Sequence, residues 1–426
     1  MQTPCPVSIR MRILRAGQGG FTSLPSLYRS KRAHDMRSGN PDILIIGGGI
    51  AGVSLAYYCA KEGLCVTVLE KNYLASGTSG ANSGNMSIHA RAAGIFLDLN
   101  VECLEMFRTL KDELDFDIGY EEVSGLLVTD RWDHLKDLKG RVEELNRKGL
   151  HAEVLSADEL LKREPHLSKN VRGGLFCRES ARINSPRLVS GFAQAGRRLG
   201  VQIQTGKKAI RIRCQRGKVV GVETGQDTFE ADKVVIAAGT ESKALARTVG
   251  ISLPVELSRG VLLVTEPTAE IGRHIINEIE DGEVLSESKD PVDRYKVRLV
   301  FSREKSGNCL VGRSSESVPG DRCGMTPVVI ETIGRNLCKF IPSFEDTHLL
   351  RVFAGIRAIS CDGLAILGPV EEAEGLFLSA AHGDKGINTS PVVGKLLASW
   401  IATGQEPEIL RPFSWNRVEN KREDLS

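Results

Sequence analysis

The apolar positions of this chain first gather at Ile43–Ile46, four consecutive residues bounded by Pro41-Asp42 on one side and glycines on the other. So short a run, without polar alternation, predicts a strand buried on both faces. Gly47, Gly49 and Gly52 follow in G-x-G-x-x-G spacing, then a helical stretch over 53–61 and a second apolar run over 65–69 that ends at Glu70. In a strand–helix–strand unit these glycines serve a tight turn, close backbone approach to a pyrophosphate, and close helix–strand packing. The helix N-terminus is an anion site, because its first N–H groups lack partners and its dipole favours negative charge. A carboxylate about 20 residues on suits the hydroxyls of an adenosine ribose. The unit therefore predicts a dinucleotide site, with Ile50, Ala51 and Lys71 beside its main residues.

Further along, 75–87 (ASGTSGANSGNMS) is a run of small and polar residues that lets backbone N–H groups and hydroxyls approach a phosphate or a planar ring. Residues 90–114 turn helical, with Ile95, Leu99, Leu104, Phe107 and Leu110 on one face. A strand is expected over 125–129 and a charged helix over 132–148. Ser156 and Glu159 form a capping-box signature for a helix over 156–164. A strand over 174–176 and a helix over 186–199 precede short strands at 201–204, 209–212, 219–223 and 228–230. These lead to a buried strand at 233–237, with Ala238 and Gly239 at its end. A β-meander feeding a parallel strand would return Gly239 to the dinucleotide. Strands over 260–266, 296–301 and 309–312, then a helix over 328–340, suggest a separate antiparallel sheet. Beyond them the segment 353–357 leads to Asp362-Gly363, followed by two strand candidates, 365–367 and 375–380, a glycine-bearing loop over 382–391, and a helix over 392–403. That last helix N-terminus is a second candidate anion or carbonyl site.

Composition narrows the class. The 426 residues are 41% hydrophobic and 26% charged with a net charge of +2, which implies no general attraction to nucleic acid or anionic membrane. The length fits two domains, or one with a large insertion. The ten cysteines contain no C-x-x-C pair, which argues against zinc and iron–sulfur sites and fits a reducing, cytoplasmic compartment. No run reaches the roughly 18 apolar residues of a transmembrane helix. Residues 1–40 carry six arginines, one lysine and a single acid, Asp35. They read as a basic tail: a mitochondrial presequence, or an upstream start before Met36.

Six segments, in this order, resemble the D-amino acid oxidase superfamily of flavoenzymes, particularly its glycine oxidase, sarcosine oxidase-type and D-amino acid dehydrogenase branches. They are GGGIAG with Glu70, GTSGANSG, VVIAAG, SRGVLLVTEP, GIRAISCDGLAILGP and HGDKGINTSPVVGKLLASWI, spanning roughly residues 42–412. The resemblance implies an α/β fold: a Rossmann-like FAD-binding domain, a doubly wound parallel sheet with a β-meander, plus a mixed or antiparallel substrate domain. The FAD domain would comprise 41–95, 175–245 and 350–412, the substrate domain 96–174 and 246–349, with a tail over 413–426. FAD would be held non-covalently. Gly47, Gly49 and Gly52 would take the pyrophosphate and Glu70 the ribose. Thr78, Ser79, Ser83, Gly84 and Asn85 would line pyrophosphate and isoalloxazine, and Ala209 or Ile210 would offer backbone to adenine. Gly383, Gly386, Ile387, Asn388 and Thr389 would face the carbonyl edge of the flavin. Arg357 matches the family's carboxylate-binding arginine, and His382 and Lys385 are catalytic candidates on the adjoining loop. Two departures stand out: Ala358 replaces the usual proline after that arginine, and Cys361 is out of register with the cysteine that anchors flavin covalently in some relatives.

The resemblance implies oxidation of the Cα–N bond of a small amino acid or N-methyl amino acid by hydride transfer to the flavin, giving an imine. Oxygen, a quinone or a partner protein would take the electrons. Two alternatives share the scaffold: a 2-hydroxy-acid dehydrogenase, and a flavin-holding subunit of a larger dehydrogenase. A nicotinamide enzyme is a further alternative for the glycine motif alone. A small-molecule substrate also leaves room for a homo-oligomer.

Overall fold

Ile43 and Ile45 of the strand Ile43–Ile46 face one apolar cluster and Leu44 and Ile46 another, with none more than 4% exposed. Full burial of one such side chain stabilises by about 1.5–3 kcal/mol, so this strand anchors both layers. The computed structural model describes residues 40–268, 271–279, 291–320 and 324–418. The basic segment 1–39, and the targeting expectation attached to it, lie outside the described residues.

The strand is central in a six-stranded sheet ordered Ile366–Pro369, Leu376–Ala380, Lys233–Ile236, Ile43–Ile46, Val66–Glu70, Gln202–Thr205. All neighbours are parallel except the first pair. A three-stranded antiparallel meander, Ala209–Gln215, Lys218–Thr224 and Thr228–Glu230, leads into the strand Lys233–Ile236. Helix Ile50–Lys61 packs against helices Ser185–Arg198 and Gly386–Thr403. Its approach to the last is close because Gly394 lacks a Cβ, which would stand 2.8 Å from Ser54 Oγ. The Ser54 hydroxyl donates to Ser390 O at 3.1 Å across that contact.

The second sheet has ten strands and is mixed rather than purely antiparallel, since Ile275–Glu278 runs parallel to Glu121–Thr129. It includes Val255–Thr265, Val300–Arg303, Cys309–Gly312 and the long strand Leu349–Ser360. One face packs on helix Pro327–Phe340 through Ile276, Phe301, Val311, Ile333 and Leu337. Strands Gly173–Arg182 and Leu349–Ser360 also belong to this sheet, so the expected domain boundaries at 175 and 350 fall inside its strands.

Several expected elements shift. The first helix begins at Ile50, because the I-A-G of the glycine motif already forms its first turn. The last helix begins at Gly386 and carries Pro391 inside it, so the proline is not a boundary. The helix expected from 90 begins at Ile95, and the stretch 132–148 divides into a 3-10 turn, Asp133–Asp137, and a helix, Leu138–Arg147. The end of the chain expected as a tail from 413 is packed at its start, with Phe413, Trp415 and Val418 buried. Among the described residues no helix is long and apolar enough to cross a membrane.

Candidate active site

A cleft of about 450 Å³ opens where the parallel strands end. Its walls include Ile46 and Gly47, Leu69 and Glu70, Ala237 to Gly239, and Ser379 to Ala381, each at a strand C-terminus of the six-stranded sheet. This is where open α/β sheets place their ligands. The opposite wall is the second sheet, through Val261, Leu262, Asn277, Val300, Gly355 and Arg357.

At one end the glycine motif builds a cradle. Gly47 has φ +119°, and a Cβ there would stand 2.3 Å from Ala237 O. Gly49, Ile50 and Ala51 line the cleft, and the Ile50 N–H donates to Ser79 Oγ at 3.0 Å. Gly52 lies behind the cradle, where a Cβ would meet Gly47 O at 2.0 Å, so its role is packing. Glu70 is buried, and its carboxylate accepts N–H bonds from Gly48 and Asn72, both at 2.7 Å, and the Ser76 hydroxyl at 3.3 Å. It therefore pins the glycine turn as well as facing the cleft. Lys71 lines the cleft and pairs with Glu241 at 2.9 Å. Ala209, Ala238 and Gly239 line this end, whereas Ile210 is 51% exposed and does not.

The small-residue loop runs along the floor. Thr78, Ser79, Ser83 and Asn85 line it, and the Thr78 hydroxyl donates to Ile356 O, tying the two sheets together. Gly84, at φ +69°, turns the loop against Ile183 O and does not line the cleft.

The other end is charged. Arg357 lies across Gly260 and donates through Nη2 to Ser314 O at 2.9 Å. Asp384 is 3.2 Å from Arg313, 3.7 Å from Arg91 and 3.1 Å from Lys385. Burial works to raise the Asp384 carboxyl, but the charges of Lys385, Arg91, Arg313 and Arg357 outweigh it and hold it well below the usual carboxylate range. His382 lines the cleft with Nε2 3.0 Å from Ser379 Oγ, and burial pushes it down to about 4, so it is neutral at pH 7. Gly383, Gly386 and Ile387 line the cleft. Lys385, Asn388 and Thr389 do not: Lys385 lies 4.6 Å over the Phe96 ring, Asn388 donates to Asn85 O, and Thr389 donates to Lys385 O. Lys385 thus steadies Asp384 from behind instead of reaching the cleft.

Arg91, Arg313, Asp384 and Asn277 are cleft residues that sequence reasoning missed. Only Asp384 carried a local signal, as the acid between His382 and Lys385. Among the described residues no cysteine lines the cleft, and Cys361 is exposed. Nor, among the same residues, do three or more histidines, cysteines or acids gather as a metal site.

The cleft fits a flavin dinucleotide. The glycine cradle leaves room for a pyrophosphate at a twelve-residue helix N-terminus. Both ends of the buried Asn85 amide, His382 Nδ1 and Ser390 Oγ lack hydrogen-bond partners in the protein, and all three residues line the cleft. Buried polar atoms are rarely left so, and a ring bearing carbonyls and nitrogens would satisfy them.

Comparison with known proteins agrees. A family model described as FAD dependent oxidoreductase matches residues 42–400. The chain is similar to an opine oxidase subunit of Rhizobium meliloti, 25% identical over 388 residues that cover 89% of this chain and 98% of that one. It is similar to glycine oxidase of Geobacillus kaustophilus, 26% identical over 384 residues that cover 88% and 97% of the two chains. The crystal structure of glycine oxidase from Geobacillus kaustophilus superposes with a TM-score of 0.78 at 23% identity, covering 88% of this chain and 98% of that one.

Proposed function

The chain belongs to the family of FAD-dependent oxidoreductases, and from that premise we propose that it oxidises the Cα–N bond of a small amino acid or N-substituted amino acid to an imine. FAD, when bound, accepts the hydride that leaves the substrate carbon. The observation that carries the proposal is Arg357, a guanidinium on the cleft wall held in place by Ser314 O. Its planar fork suits a carboxylate through two parallel hydrogen bonds. Similarity to an opine oxidase subunit and a glycine oxidase supports an amine as the group oxidised.

The other residues follow from the geometry. Asp384 anchors Arg91 and Arg313, whose charges, with those of Lys385 and Arg357, favour its ionised form. His382 stays neutral, with Nε2 hydrogen-bonded to the Ser379 hydroxyl and Nδ1 buried against the cleft without a partner in the protein. The six-stranded sheet would hold the cofactor and the ten-stranded sheet would cover the substrate, excluding water from the reacting carbon.

Mixing the yellow holoenzyme without oxygen with amino acids and with 2-hydroxy acids of equal chain length tests this reading. Bleaching by amino acids supports it, and bleaching by hydroxy acids alone transfers the scaffold to alcohol oxidation. Similarity to a protein named as a subunit favours a second reading, in which a partner chain completes the enzyme. A second chain co-purifying in fixed ratio would support it.

A further inference from the structure

Lys71 Nζ and the Glu241 carboxylate meet at 2.9 Å, and Lys208 adds a second cation 3.6 Å from the same carboxylate. Lys71 directly follows the strand Val66–Glu70, and Glu241 ends the short turn Gly239–Glu241 that follows the strand Lys233–Ile236. The central strand Ile43–Ile46 lies between those two in the sheet. The ion pair therefore runs from one neighbour of the central strand to the other, a gap of roughly 10 Å at a strand spacing of about 4.8 Å. It crosses the carboxyl end of the central strand, where Gly47 begins the cradle, and both of its residues line the cleft.

Burial sets the depth of this bridge. Glu70 and Ala237, which precede the two turns, are buried, whereas the side chains of Lys71 and Glu241 stay 34% and 24% exposed. The pair thus lies toward the rim of the cleft, outside the cradle. Local structure does not need the carboxylate: Glu241 precedes the helix Ser242–Arg247 without capping it through its side chain. Among the described residues the two lysines are its only polar partners. Open α/β sheets hold a dinucleotide across these same strand ends, so FAD entering or leaving this end of the cleft must pass the pair.

We propose that Lys71 and Glu241 form a clasp across the dinucleotide end of the cleft that opens to admit and to release FAD, with Glu241 as the positioning residue that holds Lys71 over the glycine turn. The clasp rests on the flavin site alone, so it is independent of the substrate assigned to the enzyme.

Flavin fluorescence tests this with no substrate present. Release is followed on diluting the FAD-loaded enzyme, and uptake on mixing FAD with the flavin-stripped chain. Glu241→Gln, which frees both lysines, should speed both steps roughly 1.5- to 5-fold, the range for a part-exposed ion pair. Lys71→Met should speed both by less, because Lys208 remains. The dissociation constant and Tm should stay near wild type. The double variant should be no faster than Glu241→Gln, since both changes break one contact, and Lys71→Arg should restore slow exchange. Salt near 1 M, where the Debye length is about 3 Å, should speed exchange more in wild type than in Glu241→Gln. Unchanged release in Glu241→Gln, opposite effects of the two single variants, or effects that multiply in the double variant would overturn the proposal. So would faster release at unchanged uptake, the mark of a contact on bound FAD that need not open.

Discussion

Arg357 and Gly260 are diagonal neighbours on paired strands, Arg357 opposite Ser258 and Gly260 opposite Gly355, and a Cβ on the glycine would stand 2.2 Å from Arg357 Nη2. The clash is with the far end of a flexible side chain, so Gly260→Ala should fold and bind FAD while displacing the guanidinium. Misplacement of a substrate-holding group by about 1 Å costs up to roughly 100-fold in rate. We expect kcat/KM to fall roughly 10- to 100-fold with flavin content and Tm near wild type. Unchanged kinetics would show that the arginine's position does not matter.

Glu70 locks the glycine turn through the N–H groups of Gly48 and Asn72. Glu70→Ala leaves both donors without their acceptor, at about 1–3 kcal/mol for each that stays buried. Purified protein should be less stable and partly colourless, with a raised FAD dissociation constant. Glu70→Gln keeps one acceptor but sets an amide N–H against a backbone N–H, so its loss should be intermediate. Stoichiometric FAD in Glu70→Ala would contradict the assignment.

Much of this end was legible in the sequence, because its residues are close along the chain: the strand, three glycines and Glu70 occupy fewer than 30 positions. The meander and Gly239 followed from the same local patterning. The charged end was not, because Arg91, Arg313 and Asp384 meet only through the fold. Strand Ile275–Glu278 escaped notice for a related reason: four residues carry little periodicity, and its parallel partner, Glu121–Thr129, lies far away in the chain. Asn277 and His89, whose Oδ1 and Nε2 lie 2.9 Å apart, were invisible as a pair until that strand was placed. Lys385 shows the converse, a loop lysine beside catalytic candidates that turns away onto Phe96.

Three histidines contribute to the acid side of stability. Burial lowers His89 to about 3 and His274 and His382 to about 4, against 6.5 for the free side chain. The folded protein keeps them neutral while the unfolded chain protonates below about pH 6.5. Their contribution is therefore complete above that pH and is lost progressively as pH falls toward the folded values. Tm should drop between pH 7 and pH 5, and His89→Gln should drop less steeply over the same interval. Equal slopes would show that His89 takes up its proton without unfolding.

An amine substrate must present a free lone pair, and most amino acid is protonated at neutral pH. The rate of anaerobic flavin reduction at low substrate should therefore rise from about pH 6 to about 9.5, the region approaching amino-group ionisation. His382, already neutral, should add no step near pH 6.5. A flat profile measured by rapid mixing would favour a hydroxy acid.

The most direct measurement is kcat/KM of Arg357→Ala and Arg357→Lys, taken with flavin occupancy and Tm on the same preparations. Removing one partner of a desolvated charge pair costs about 2–5 kcal/mol, and each 1.4 kcal/mol is about tenfold. Arg357→Ala should lose roughly 30-fold to several-thousand-fold at full flavin occupancy. Arg357→Lys should recover only part, because a point charge keeps the attraction and loses the fork. An arginine that only braced Ser314 would instead lower Tm and leave near-normal kinetics in the protein that remains folded. A fully flavin-loaded Arg357→Ala enzyme with wild-type kcat/KM would contradict the account.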